Sequence, residues 1–202
     1  MNFGHLGFVT MAYVIGSVPT GYWLGKLWKG VDIRQFGSGN LGAANVFRVL
    51  GPAPGLLTFL IDLAKGWISV FLAMRFFPGE LPIAIVTGVA AILGHTMSVF
   101  VHFRGGKGVA TSAGVFLALL PIPSAAGLAV FALVFGATHY VSLGSLLGAF
   151  TLVGASFALS SPKPLSWTAA VAALFVTWTH RANIRRLLEG TENRIAWSKK
   201  SS

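Results

Sequence analysis

Seven apolar runs take up most of this chain, and they constrain its fold more than any other feature. A helix needs about 20 apolar residues to cross a bilayer, and fewer when it packs inside a bundle. The runs cover residues 6–27, 55–77, 81–101, 109–120, 124–138, 143–159 and 165–179. Hydrophobic residues make up 54 % of the chain and charged residues only 10 %, which is atypical of a soluble domain. The sequence predicts an all-α integral membrane protein with seven transmembrane helices, forming a single domain over residues 1–202 with a disordered tail at 196–202.

The number of spans decides the topology. We separate the fourth and fifth runs at Pro121-Ile122-Pro123, because prolines interrupt helices. One long bent helix, giving six spans in all, is the alternative. With seven spans, twelve lysines and arginines lie on one side of the membrane, and only Arg75 and Lys163 lie on the other. The positive-inside rule then places the N-terminus outside and the C-terminus in the cytoplasm.

The composition excludes several classes of site. The chain has five acidic residues and no cysteine, so multi-carboxylate metal cages, thiolate nucleophiles, disulfides and cysteine-type zinc sites have no ligands to draw on. No metal and no other cofactor is predicted. A net charge of +10 could suit nucleic acid, but in so apolar a chain the cations set topology and attract anionic lipids or substrates. We expect membrane lipids and no nucleic acid among the partners.

The first predicted cytoplasmic segment, residues 28–54, is long and rich in glycine and asparagine. Exposed backbone N–H groups, hydroxyl and amide donors and a fork-shaped guanidinium all suit a phosphate. The candidate residues in it are Gly37, Ser38, Gly39, Asn40, Asn45 and Arg48. A flexible hydrophilic loop of the same composition is the alternative interpretation.

The second segment reads Arg104-Gly105-Gly106-Lys107-Gly108 and lies immediately before the fourth run, in which Thr111 follows. Glycines around a lysine at a helix N-terminus are typical of a phosphate cradle. The spacing of a Walker A loop is absent, because Val101 and Gly108 stand where that motif needs Gly and Ser or Thr. A basic turn with incidental glycines is the alternative.

Two further segments carry polar residues on the same predicted side. His180 and Asn183 share one face if the seventh helix continues, and they could converge on a ligand. Ser142 immediately precedes the sixth run, and Ser145 lies in its first turn. Ser142 could equally be a helix N-cap. The nearby arginines are more typical of contacts with lipid head groups; they are Arg181, Arg185 and Arg186.

Other polar and small residues are assigned structural roles. Asp62 and Lys65 lie three apart inside the second run, where charge is costly, so we expect them to pair with each other or with the first segment. We expect Glu192 to pair with a cytoplasmic arginine. Several glycines are expected to let helices pack closely, among them Gly16, Gly21, Gly25, Gly144 and Gly148.

Because all four polar segments face one compartment, the sequence predicts a single site for a phosphorylated, partly lipidic ligand at the cytoplasmic membrane surface. The residues alone leave an enzyme and a carrier open. A carrier predicts polar groups through the membrane midplane, where only Asp62 and Lys65 are charged. An intramembrane serine protease with a Ser38–His180 dyad is a third alternative, but Ser38 lies in a polar segment outside the predicted helices.

Taken together, these motifs resemble the bacterial acyl-phosphate–glycerol-3-phosphate acyltransferases of the PlsY type. The resemblance covers nearly the whole chain. The segments that carry it are Gly16-Ser17-Val18-Pro19-Thr20-Gly21, Asp32-Ile33-Arg34, residues 37–48, Leu93-Gly94-His95, residues 105–111, residues 140–145 and residues 180–192. It implies seven spans, an outside N-terminus and an active site facing the cytoplasm of the bacterial inner membrane. The implied reaction moves a fatty acyl group from acyl phosphate to the 1-hydroxyl of sn-glycerol 3-phosphate, giving lysophosphatidate and phosphate.

The resemblance also implies roles for individual residues. Ser38, Arg48, Lys107, His180 and Asn183 are the expected catalytic residues, and an upstream enzyme must supply the acyl phosphate. The expected substrate-binding residues are Gly37, Gly39, Asn40, Asn45, Gly105, Gly106, Gly108, Thr111, Ser142 and Ser145. We expect Arg48 and Lys107 to bind the phosphates and Ser38 and Asn183 to orient the reacting groups. Either His180 or the leaving phosphate could take the proton.

Overall fold

The computed structural model describes residues 2–195, so the predicted tail at 196–202 lies outside the described residues. The described part is helical and divides at Pro121 into two units. The first unit contains α1 (Phe3–Ser17), α2 (Thr20–Lys29), a 3-10 turn (Ile33–Gln35), α3 (Ala43–Leu50), α4 (Pro52–Phe76), α5 (Leu81–Thr96), a second 3-10 turn (Val99–Val101) and α6 (Val109–Leu119). The second contains α7 (Pro121–Thr138), α8 (Val141–Ala158), α9 (Lys163–Thr179) and α10 (Arg181–Leu188).

Four helical stretches within residues 2–195 are long and apolar enough to cross a membrane. They are Pro52–Phe76, Leu81–Val101, Pro121–Thr138 and Val141–Ala158. The other three predicted runs form shorter helices, α1, α6 and α9. As expected, α6 and α7 are separate helices, because the chain leaves helical geometry at Leu120 before the first of the two prolines.

The predicted continuous helix over residues 6–27 is wrong. The chain breaks at Val18-Pro19, because proline has no N–H to donate and disfavours a helical residue before it. Side chains satisfy the carbonyls at this break. The Ser98 hydroxyl donates to Ser17 O, and Lys65 Nζ donates to Val18 O at 3.0 Å. Inside an apolar bundle an unsatisfied carbonyl would cost several kcal/mol, so these partners make the break tolerable.

The predicted long loop over residues 28–54 is also largely ordered structure. It contains the first 3-10 turn and α3, which pack around a small buried cluster that includes one residue of the second 3-10 turn. That cluster consists of Ile33, Leu41, Val46, Leu50 and Val101. The polar motif of this segment therefore rests on a packed base rather than a flexible loop.

Close helix crossings hold the first unit together, and glycines make them possible. A Cβ on Gly16 of α1 would lie 2.2 Å from Ala91 O of α5, and a Cβ on Gly94 of α5 would lie 2.2 Å from Tyr13 O of α1. α4 and α6 cross in the same way, since a Cβ on Gly114 would lie 1.9 Å from Leu63 O. The predicted role of glycine in close packing is confirmed at Gly16, and it extends to glycines that the sequence pattern did not single out.

Candidate active site

Asn45 organises the first polar motif from inside the protein. It lies on α3, is 1 % exposed, and donates both amide hydrogens to backbone carbonyls, those of Ile33 and Phe36, at 3.0 and 3.1 Å. Its Oδ1 accepts the Ser38 N–H at 2.8 Å. Because its amide is used in this way, Asn45 positions the motif, and the expectation that it binds substrate directly is not supported.

The segment that Asn45 holds exposes the predicted ligands. Gly37 and Gly39 have φ of +59° and +70°, which glycine adopts without strain, and Ser38 lies exposed between them. Asn40 accepts the Gly42 N–H at 2.8 Å through Oδ1, and this turn leads into α3. Arg48 lies one turn beyond Asn45 and is half-buried.

An ion pair fixes the start of this segment. Arg34 Nη2 lies 2.6 Å from Asp32 Oδ2, and the Asp32 carboxylate also accepts the Arg34 N–H. The hydrogen bond from the Arg34 side chain lowers the pKa of Asp32 below its ordinary value, against the opposing effect of burial. Asp32 therefore stays ionised and caps the first 3-10 turn.

The glycine loop before α6 is built differently from the predicted phosphate cradle. Gly105 N–H donates to Thr96 O at 3.0 Å, and Gly106 N–H donates to His95 O at 3.1 Å. These bonds satisfy the last carbonyls of α5, so the two N–H groups are used within the protein rather than offered to a phosphate. Gly108, at φ +82°, is the N-cap of α6, whose first-turn N–H groups have no acceptor within the helix. Within this loop, phosphate binding by Lys107 and by the first turn of α6 stays a prediction.

Thr111 lies in that first turn with its side chain fully buried. Its Oγ1 has no hydrogen-bond partner within the described residues, and its carbonyl forms the close crossing with Gly66 of α4. A buried Thr111 packs α6 against α4, and the geometry does not support the expectation that it touches substrate.

The expected ion pair inside α4 is present. Lys65 Nζ lies 2.8 Å from Asp62 Oδ1, and both side chains are buried. The same oxygen accepts the Thr20 hydroxyl at 2.9 Å, and His95 Nδ1 lies 3.7 Å from it. Thr20 and His95 lie in segments that carry the family resemblance, but the sequence pattern assigned neither of them a role. Pro19 was the sequence signal for Thr20, because a proline in an apolar run indicates a helix break and so places Thr20 at a helix start.

Glu192 is the centre of the second unit's polar cluster. It is 7 % exposed, and its Oε1 accepts from the Ser142 hydroxyl at 2.9 Å and from Asn183 Nδ2 at 2.6 Å. Its Oε2 accepts from Arg186 Nε at 2.7 Å. Burial acts to raise the pKa of Glu192, but the hydrogen bonds from Asn183, Arg186 and Ser142 outweigh it and leave the pKa below its ordinary value. The expected pairing with an arginine is confirmed.

The alternative that Ser142 is a helix N-cap is wrong. Tyr140 occupies the N-cap position of α8, and the Ser142 hydroxyl is used by Glu192. Arg186 binds the Glu192 carboxylate through Nε, and its expected contact with lipid head groups stays a prediction. Ser145 is buried and donates to Val141 O one turn earlier, which gives its hydroxyl a partner inside the helix.

The seventh helix does not continue unbroken through His180, since α9 ends at Thr179 and α10 begins at Arg181. The side chain is 3 % exposed, and Nδ1 lies 2.8 Å from Val176 O. Because a carbonyl can only accept, Nδ1 must carry hydrogen, which puts the lone pair of the neutral ring on Nε2. That tautomer is the one a general base acting through Nε2 requires.

No group of three or more His, Asp or Glu side chains with metal-binding geometry occurs in the part of the chain that the structure describes. The two buried polar clusters are each built around one carboxylate, Asp62 or Glu192, with cations, hydroxyls and an amide as its partners. The exposed Ser38 and the cations Arg48 and Lys107 lie outside these clusters.

The comparison with known proteins identifies the family. A family model described as glycerol-3-phosphate acyltransferase matches residues 6–190. The chain belongs to the glycerol-3-phosphate acyltransferase family. It is therefore an acyltransferase, and the family acts in phospholipid biosynthesis.

Named members of the glycerol-3-phosphate acyltransferase family match the chain nearly end to end. A protein of that name from Fusobacterium nucleatum subsp. nucleatum is 45 % identical over 190 residues, covering 93 % of this chain and 96 % of the relative. Another from Listeria monocytogenes is 45 % identical over 191 residues, covering 93 % and 94 %. A third from Chlorobaculum tepidum is 38 % identical over 228 residues, covering 97 % and 98 %.

Solved structures match equally well. A crystal structure of PlsY (YgiH), an integral membrane glycerol 3-phosphate acyltransferase in its glycerol 3-phosphate form, has a TM-score of 0.91 at 39 % identity and covers 96 % of each chain. The lysophosphatidic acid form of PlsY has a TM-score of 0.88 at 38 % identity, again over 96 % of each chain. With its four long apolar helices, this member of the acyltransferase family is a multi-pass membrane protein.

Proposed function

We propose that the protein transfers a fatty acyl group from acyl phosphate to the 1-hydroxyl of sn-glycerol 3-phosphate, the first acylation of bacterial phospholipid synthesis. One observation carries the proposal. Relatives of nearly the same length and fold have been solved with glycerol 3-phosphate and with lysophosphatidic acid, which are an acyl acceptor and its acylated product. The proposed products are lysophosphatidate and inorganic phosphate.

The choice of acyl donor rests on the residues available. The chain has no cysteine to form a thioester intermediate. An acyl phosphate is already an activated mixed anhydride, so the acceptor hydroxyl can attack its carbonyl carbon directly. The new ester C–O bond forms, the bond from the carbonyl carbon to the phosphate oxygen breaks, and phosphate leaves. An upstream acyl-phosphate-forming enzyme must supply this donor.

The first unit supplies the phosphate-binding residues in this proposal. Arg48 presents a guanidinium whose fork matches phosphate oxygens, and Lys107 adds a point charge at the start of α6. Both cations offset the negative charge that grows on the departing phosphate. Ser38, held exposed between Gly37 and Gly39, offers its hydroxyl to a phosphate or to the acyl carbonyl, with Asn40 beside it.

In this proposal His180 and Asn183 act on the acceptor hydroxyl. The Nδ1–H bond to Val176 O orients His180 so that Nε2 can accept the hydroxyl proton. The contact with Glu192 turns the amide of Asn183 so that its oxygen, not its nitrogen, is the end directed away from the carboxylate. An oxygen in that position accepts a hydrogen bond, so Asn183 is suited to orient a hydroxyl.

The membrane arrangement follows the distribution of charge. We propose seven spans, an outside N-terminus and a catalytic surface facing the cytoplasm of the inner membrane. The basis is the excess of lysine and arginine in one set of connections, twelve against two. Soluble glycerol 3-phosphate would then reach the site from the cytoplasm, and the acyl chain from the bilayer.

The test is phosphate release from palmitoyl phosphate by the purified protein in detergent, with and without glycerol 3-phosphate and with no added metal or carrier protein. We expect release that depends on glycerol 3-phosphate and yields lysophosphatidate in equal amount. Arg48→Ala should remove most of it, whereas Lys163→Ala, at the start of α9, should not. Binding of both compounds without turnover would overturn the proposal and favour a carrier for a phosphorylated solute.

A further inference from the structure

The imidazole of His95 lies between a buried carboxylate and the glycine loop. On one side, Nδ1 is 3.7 Å from Asp62 Oδ1. On the other, a Cβ added to Gly106 would lie 2.2 Å from His95 Nε2, so the loop backbone rests directly on the ring. The next residue along this backbone is Lys107, the cation assigned to phosphate.

The loop is attached to the end of α5 at two points as well. Gly105 and Gly106 donate their N–H groups to Thr96 O and His95 O. The His95 residue thus contacts the loop through its backbone and through its ring. A ring that changed its position would move the surface on which Gly106 rests.

The carboxylate on the far side of the ring is itself held in place. Asp62 Oδ1 accepts from Lys65 Nζ at 2.8 Å and from the Thr20 hydroxyl at 2.9 Å, and Lys65 Nζ also binds Val18 O. Buried ion pairs add little net stability compared with well-packed apolar residues, because desolvation is costly. An apolar replacement would lack the directed contacts that fix the position of the Asp62 carboxylate.

We propose that His95, packed between Asp62 and Gly106, is a positioning residue that sets the height and direction of the Gly105–Lys107 loop and hence of the Lys107 ammonium. This inference rests on the proposed function only for the statement that Lys107 binds phosphate. The order of contact runs from the Val18-Pro19 break through Lys65 and Asp62 to His95 and then to Gly106.

The first test is selective rescue, measured as the rate of phosphate release. Gly106→Ala should slow the reaction at least tenfold, because the new methyl group meets the ring. His95→Asn keeps an amide on the Asp62 side but removes the Nε2 atom that the new methyl group would meet. The double variant, His95→Asn with Gly106→Ala, should therefore release phosphate no more slowly than His95→Asn alone. Gly105→Ala is the matched control: its methyl would lie 2.0 Å from His95 O, a backbone atom, and His95→Asn should not rescue it.

The second test does not depend on activity. The chain has no cysteine, so a spin label attached through Lys107→Cys in the full-length protein reports the loop alone. His95→Asn should increase the label's mobility. Ile83→Ala, an equally buried change in the first turn of α5, should not.

The outcomes of the two tests distinguish a failure of the positioning role of His95 from a failure of the proposed function. Unchanged label mobility in His95→Asn, or equal rescue of Gly105→Ala and Gly106→Ala, overturns the positioning role. Should the wild-type protein fail to turn over palmitoyl phosphate, the proposed function fails. The spin-label comparison then decides the positioning role by itself.

Discussion

The side-chain amide of Asn183 donates a 2.6 Å hydrogen bond to Oε1 of Glu192. Because a carboxylate only accepts, this contact decides which end of the amide is nitrogen. Glu192 lies nine residues further along, in a segment beyond the last helix, and it is also bound by Ser142 and Arg186. The orientation of a proposed catalytic amide therefore depends on the chain folding back after α10.

Glu192→Gln tests this dependence. The variant keeps the shape of the side chain but loses the charge that three donors share. We expect a loss of about 1.5–3 kcal/mol in the free energy of unfolding, as for hydrogen bonds to a charged group. The rate should fall by up to about 10²-fold, because Asn183 loses its fixed orientation. Thermal unfolding in detergent and the phosphate-release assay measure the two effects.

Glu189→Gln is the matched control for that prediction. Glu189 binds Arg185 at 2.8 Å in the same region, but the two side chains are 49 % and 81 % exposed. Exposed pairs contribute less than about 1 kcal/mol, so Glu189→Gln should change stability and rate little. Equal effects of the two substitutions would contradict the special position of Glu192.

The stability of the protein should fall in acid partly through Glu192 and Asp32. The pKa of each carboxyl is lowered in the folded protein. A lowered pKa means that the folded state favours the ionised form. The resulting stabilisation is fully present above the unfolded values of about 3.9–4.3 and is lost as pH falls through the folded pKa.

Measurement of Tm against pH between about 7 and 3 checks this sign. Glu192→Gln and Asp32→Asn should each have a lower Tm than wild type at neutral pH and approach it at the acid end. A difference in Tm between variant and wild type that stayed constant from about pH 7 to 3 would show that ionisation of these carboxyls does not contribute to stability.

His180→Gln separates the two possible proton acceptors. If His180 is the general base, the rate should fall by about 10²–10⁴-fold, the usual contribution of acid–base catalysis. A loss of less than about tenfold would assign the proton to the leaving phosphate and leave His180 a hydrogen-bond partner. His5→Gln is the control and should leave the rate unchanged. His5 lies in the first turn of α1 beside Glu80, and neither residue has a role in the proposed reaction.

Two glycines of α1 should respond oppositely to alanine. At Gly16 a methyl group would meet Ala91 O at 2.2 Å, so Gly16→Ala should destabilise the protein by about 1–3 kcal/mol, the usual cost of overpacking. At Gly7 nothing lies within 4 Å, and Gly7→Ala should be neutral or stabilise the helix by up to about 1 kcal/mol. Thermal unfolding of both variants measures the difference. A stable Gly16→Ala protein would show that α1 and α5 can separate without loss.

The hydropathy pattern predicts most of the helices well, because burial of an apolar run in a membrane depends on local composition. The breaks are harder to predict. Pro121 and Pro123 separate α6 from α7 as predicted, whereas Pro19 breaks an apolar run that the hydropathy pattern predicts to be one helix. Such a break is stable only if distant side chains satisfy the freed carbonyls, and Ser98 and Lys65 do so here.

Residue types alone identified the polar motifs, but not how each polar group is used. Asn45, Gly105 and Gly106 have the composition of a phosphate site, yet their donors bind carbonyls of the protein itself. Local sequence cannot distinguish these uses, since the acceptors are set by where the chain folds. The same holds for Arg186, whose partner Glu192 comes from a separate segment.

The helical membrane class, the charge asymmetry and the available chemistry follow from composition and spacing along the chain. Which polar groups meet depends on the tertiary fold. His95 lies between Asp62 and Gly106, and Glu192 lies among Ser142, Asn183 and Arg186, so each group joins residues from separate segments of the chain. Hydrogen bonds and close packing require distances of a few ångströms in space, and no periodicity along the chain specifies them.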